Sequence, residues 1–152
     1  MAQKLEPLGV RTLGVVATEP DRARLYFRFR RPRMPVGADP ELLTHRAFGV
    51  PDLGPPPPGF EELDDRAAAR ELGLTGPTRG AARDQLRRHD GYAVTGVDHA
   101  DWERHQLQLT GQFLVDRDGL VRWANIECAR EGIEGIGKLP TEDEVLAAAR
   151  GL

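Results

Sequence analysis

Residues 112–126 (QFLVDRDGLVRWANI) constrain the fold more than any other stretch, because they spell a hairpin. Two runs that alternate apolar and polar residues flank Asp118-Gly119, and Asp-Gly in that setting is a strong short-range hairpin signal. A lone hairpin is not stable in water, so its apolar face needs a cover. Residues 141–150 offer one. Thr141-x-x-Glu144 is a capping box that opens a helix, and Val145, Ala149 and Leu152 share one face of it with Leu146 and Ala148 beside them.

The N-terminal third reads differently. Residues 2–8 form a helical stub that stops at Gly9. Residues 10–17 (VRTLGVVA) are almost continuously apolar, the pattern of a strand covered on both faces. Thr18 and Asp21, with Pro20 in the first turn, start a helix over residues 19–31. Leu25, Phe27 and Phe29 alternate with Tyr26, Arg28 and Arg30, so a strand also fits there; the cap favours the helix. Met34-Pro35-Val36 is a short edge strand. Asp39-Pro40 begins another helix, with Asp39 as N-cap, that runs to Phe48 and stops at Gly49.

Between these halves lies a stretch of another character. Pro55 to Pro58 is a four-proline run, which favours polyproline II and excludes helix and central strand. Residues 51–62 are therefore read as a surface connector. Helical segments follow over 64–72, 78–89 and 98–108, and residues 51–106 together form a proline-rich loop plus helical insert within one domain of 152 residues. The formal net charge is −3, which gives no pull toward nucleic acid or anionic lipid. There is no apolar signal core after Met1 and no apolar run long enough to span a bilayer, so a cytoplasmic protein is expected.

The order of strand, helix, short strand, helix, insert, hairpin and terminal helix is that of the back half of a thioredoxin fold. Residues 10–20 (VRTLGVVATEP), 37–50 (GADPELLTHRAFGV) and 111–122 (GQFLVDRDGLVR), with the ending 138–148 (KLPTEDEVLAA), resemble successive blocks of the peroxiredoxin family, in its alkyl hydroperoxide reductase and thiol-specific antioxidant branch. The resemblance covers residues 4–50 and 107–152. It implies a thioredoxin-like three-layer α/β/α sandwich with a mixed sheet. It also implies reduction of a small hydroperoxide by a cysteine thiolate, recycling by an external thiol reductant, and no cofactor.

Two departures shape the expectation. In that family the reactive thiol sits at the N-terminus of the first helix, where unpaired N–H groups and the helix dipole lower its pKa. Here the chain begins inside that helix, so strand and Thr-x-x-Cys motif are both missing and the fold is N-terminally incomplete. The missing strand lies centrally in the fold. Its absence implies that the sheet closes up, that a strand-donating partner or a homodimer fills it, or, most economically, that the true start codon lies upstream. Each buried orphan backbone group would otherwise cost about 1–3 kcal/mol. At the hairpin entrance, the active-site edge of the family, Thr110 and Gly111 stand where relatives carry a cis-proline or an arginine. The chain is thus expected to be an inactive peroxidase by itself. The alternative is a non-catalytic thioredoxin-like module that binds a partner through its exposed sheet edge.

Cys128 is the single cysteine, which rules out a two-thiol cycle within one chain. Placed just after the second hairpin strand, it is by resemblance an auxiliary thiol and by residue type a small, partly buried packing residue. Residues 132–139 (GIEGIGKL) nearly spell a P-loop, but Leu139 supplies no hydroxyl for Mg²⁺ and Pro140 resets the backbone. His99, His105, Asp98 and Asp101 have metal-binding side chains at a spacing that unites too few of them, so no metal site is expected. Arg22, Arg24, Arg28, Arg30, Arg31 and Arg33 read as the solvated face of an amphipathic helix and not as a nucleic-acid surface; Trp102 and Trp123 read as core or interface residues.

Overall fold

The computed structural model describes residues 1–28, 31–89 and 93–152. It is a mixed α/β structure with two small sheets, and its residues gather into two compact units. The first holds residues 1–50, 110–126 and 139–152, and the second 51–109 and 127–138. No helix among the described residues is long and apolar enough to cross a membrane.

In the first unit, α1 (Ala2–Leu5) tightens into a 3₁₀ turn over Glu6–Leu8 and ends on the left-handed Gly9. The strand expected over residues 10–17 is only three residues long, β1 (Gly14–Val16), and it is covered on one face, not two. Thr12, Gly14 and Val16 are half-buried, whereas Leu13 is 65% and Val15 37% exposed. The apolar run promised an interior strand. Among the described residues, however, β1 has a strand neighbour on one side only.

α2 (Pro20–Tyr26) is shorter than residues 19–31, closing where the Phe27 N–H reaches the Ala23 carbonyl. Phe29 and Arg30, part of that expectation, lie outside the described residues. Glu19, not Thr18, occupies the cap position because Pro20 is the first helical residue. β2 (Val36–Ala38) then pairs parallel with β1, Gly14 opposite Val36 and Val16 opposite Ala38. The next helix, α3 (Leu43–Ala47), starts later than Pro40 because residues 40–42 form a turn with Leu42 left-handed at φ 54°. Asp39 still caps it from a distance. Its carboxylate accepts the Leu43 and Thr44 amides at 3.0 and 2.7 Å, and the Thr44 hydroxyl as well.

The hairpin forms as β3 (Gly111–Val115) and β4 (Val121–Ile126), antiparallel, with Leu114 opposite Trp123 and a register shift between Leu114 and Val115. Asp116 organises the turn, one carboxylate oxygen accepting the Asp118 and Leu120 amides, both at 2.9 Å, while Gly119 takes φ 82°. Both faces of the hairpin are engaged. Leu114 and Trp123 pack with Leu5 and with Val145, Leu146 and Ala149 of α7 (Glu142–Arg150). Phe113 points the other way, as strand alternation demands, and meets the Phe48 ring with centroids 4.7 Å apart. The α7 capping box forms as expected, Thr141 N donating to Glu144 at 2.7 Å and Glu144 N to Thr141 Oγ1 at 3.3 Å. Leu152 does not join the apolar face; the helix ends at Arg150, which leaves Leu152 49% exposed.

The second unit is built on α4 (Phe60–Glu71), which begins four residues before Asp64 and stops at the left-handed Gly73. Ala68 and Ala69 pack against Ala82 of α5 (Ala81–His89), with Leu72 and Leu86 alongside. Buried Asp65 caps α5 across the helix pair, accepting from the Thr78 hydroxyl, Gly80 N at 2.8 Å and Arg83 N at 3.1 Å. That cap sets the start of α5 three residues after Thr78. α6 (Gly96–His105) begins earlier than residue 98, at a Thr95/Asp98 capping box, ends before 108, and buries none of its residues.

Candidate functional site

Gly111 opens β3, and the local packing explains why it is a glycine. A Cβ there would lie 2.6 Å from Phe113 Cε2 and 2.7 Å from Val50 Cγ2, well inside van der Waals contact. The hairpin entrance is therefore a place where side chains close over bare backbone. Thr110, immediately before it, is exposed. The aromatic pair Phe48–Phe113 beside Gly111 was not legible in the sequence, since residues 48 and 113 belong to distant segments. Its only advance signal was the alternation that points Phe113 away from Leu114.

Cys128 belongs to the second unit, whereas Thr110 and Gly111 belong to the first. The cysteine is half-buried and sits in the left-handed region at φ 64°, unusual for a residue with a Cβ. Its carbonyl accepts Gly132 N at 2.9 Å, and a Cβ on Gly135 would come within 3.2 Å of its Cα, so residues 128–135 close into a tight loop. Burial pushes the thiol pKa up, and the Glu127 and Glu131 carboxylates push it further. All three causes disfavour the thiolate, which is the nucleophilic form. Glu127 is itself buried and accepts Gly137 N at 2.5 Å, which holds its side chain in place. No cue in the sequence singled out Glu127.

Several of the remaining candidates have structural tasks. Asp98 closes the cap of α6 at 2.7 Å from Thr95 N, and Asp101 pairs with Arg104. Among the described residues no three His, Cys, Asp or Glu side chains gather as a metal site. Residues 132–138 form a 3₁₀ turn over Gly132–Gly135, Lys138 pairs with Glu131, and no helix begins until Glu142, so the loop-to-helix geometry of a P-loop is not formed here. In the arginine-rich stretch Arg24 pairs with Asp21 at 2.6 Å and Arg33 donates to Gln3 at 3.3 Å; Arg30 lies outside the described residues. Trp123 packs against the core, whereas Trp102 is 46% exposed.

No family model, curated protein or solved structure matches this chain.

Proposed function

We propose that the chain supplies the thioredoxin-like scaffold of a thiol-dependent redox protein of the peroxiredoxin type, and that by itself it has no peroxidase activity. What supports this reading is the order of elements in the first unit, although its parallel pair and its hairpin form two separate two-stranded sheets and not one mixed sheet. A parallel β1–α2–β2 crossover precedes an antiparallel hairpin that packs α1 and α7 on one face and Phe48 on the other. That is the element order of the fold the sequence resembles. The lack of activity follows from the thiol. Peroxide reduction needs a thiolate, and burial, with Glu127 and Glu131 beside it, pushes the Cys128 pKa up and disfavours that form.

A specific observation favours a second reading, a non-catalytic module that binds a partner by strand addition. Among the described residues β1 and β3 each pair with one strand only, and β1 carries exposed Val15 with exposed Leu13 just before it. An unpaired apolar strand edge is a template for another strand.

Two measurements test the readings. Hydroperoxide consumption with a dithiol reductant is expected to show no difference between the chain and Cys128→Ser; turnover that depends on Cys128 would overturn the assignment of inactivity. Intact-mass analysis of the protein from its own cells decides the class. A chain that carries a Thr-x-x-Cys segment ahead of Met1, and consumes peroxide, supports the redox scaffold. A chain that begins at Met1 and consumes none leaves the binding module.

A further inference from the structure

The proline run, Pro55 to Pro58, is held at both ends by hydrogen bonds. Asp52 and Gly54 pin its upstream end: Gly54 N donates to Asp52 Oδ1 at 2.9 Å, Asp52 bridges Gln108, and Leu107 N reaches the Gly54 carbonyl at 3.2 Å. Its downstream end is pinned as well. Phe60 N donates to the Pro57 carbonyl at 3.1 Å, and Gly59 takes φ 82° and ψ 0°. Those values at the third position, after a proline, define a type II turn, in which Pro58 keeps an extended, polyproline-like backbone. Proline fixes φ near −65°, and beyond the bend at Pro55 a run of prolines favours polyproline II, a stiff left-handed form with three residues per turn and about 9 Å long over four residues.

Pro56 is half-buried, while Pro55, Pro57 and Pro58 are exposed. With three residues per turn, Pro55 and Pro58 fall on one ridge and Pro57 on a second, the arrangement that proline-reading domains grip between parallel aromatic side chains. The flanks are acidic. Asp52 precedes the run, exposed Glu61 and Glu62 follow it, and residues 51–65 contain no lysine or arginine. Exposed Leu53 adds an apolar contact just upstream.

We propose that residues 53–62 are a preorganised docking strip for a partner domain with an aromatic-lined polyproline groove and basic residues at one end of it. Pinning at both ends removes much of the ordering entropy that a free proline peptide loses on binding. The acidic flank fixes the direction in which the strip lies in the groove and speeds encounter.

The test is an NMR titration of the whole ¹⁵N-labelled chain with three purified probes in turn, an SH3, a WW and an EVH1 domain. The reporters are the amides of Gly54, Gly59, Phe60 and Glu61. One probe is expected to shift these amides saturably, and a proline decamer is expected to displace it. Pro55→Ala with Pro58→Ala should weaken binding at least about tenfold. Glu61→Gln with Glu62→Gln should weaken it less and flatten its salt dependence. Silence from all three probes at about 1 mM, failure of the decamer to compete, or undiminished binding by the double-alanine variant would each overturn the proposal. Should that variant fail to fold, the decamer competition and the glutamine variant still decide.

Discussion

At the scale of single residues, the most sensitive positions are those where a side chain, or its absence, is fixed by close neighbours. Gly111→Ala would force a methyl against Phe113 and Val50, and overpacking of this kind costs about 1–3 kcal/mol. Urea unfolding followed at Trp123 is the direct measurement, and an unchanged midpoint would show that the rings yield freely. Cys128 offers a second prediction. Burial first, then Glu127 and Glu131, raise its pKa, so the pH at which iodoacetamide alkylation reaches half its maximal rate should lie above that of an unstructured cysteine peptide. A lower midpoint would restore the thiol as a nucleophile. The sequence pointed to Cys128 because it is the sole cysteine and follows the second hairpin strand; its left-handed backbone and buried acidic neighbour follow from how residues 128–138 fold back on themselves.

Among the elements, those with local determinants were the most legible. The Asp116–Gly119 turn, the α7 capping box and the glycines that stop helices at residues 9, 49 and 73 all depend on chemistry within a few residues, and all form. Thr141→Ala should therefore cost about 1 kcal/mol. Leu114→Ala, which empties the centre of the hairpin–helix core, should cost about 2–5 kcal/mol. Both are read from denaturant unfolding, and equal effects would contradict this account of the core. β1 is the counterexample. Its apolar run looks like an interior strand, yet the strand is short, among the described residues paired on one side, and open over Val15 with Leu13 exposed before it. Its amides are expected to exchange with deuterium faster than those of β3 and β4, since sparse burial lowers the cost of local opening. Protection equal to the hairpin's would mean that β1 is covered in solution.

For the whole molecule, pH reports on carboxylates in both units. Asp39, Asp65 and Asp116 are each held below the usual carboxylate range, chiefly by the Thr44 hydroxyl, the Thr78 hydroxyl and the Leu120 amide respectively. A group whose folded pKa is depressed contributes stability that is complete above its unfolded value, near pH 4, and is lost as pH falls through the folded value. The urea midpoint should hold from neutral pH to about pH 5 and then decline. The triple Asn variant should start lower and decline less steeply. A parallel decline in both proteins would place the acid sensitivity elsewhere.

What the sequence determined by itself was local: the hairpin, the helix stops, the capping box and the stiffness of the proline run. Each is fixed by backbone geometry or hydrogen bonds that span at most a few residues. Tertiary structure alone decided where α5 begins, because Asp65 reaches from α4 to satisfy the Gly80 and Arg83 amides, whereas the Asp39 cap of α3 is local and only its reach past the turn at residues 40–42 was not legible. It also decided which face of β1 is covered. Apolar periodicity states that a residue prefers to leave water, but only the other elements of the fold determine whether there is anything for it to pack against.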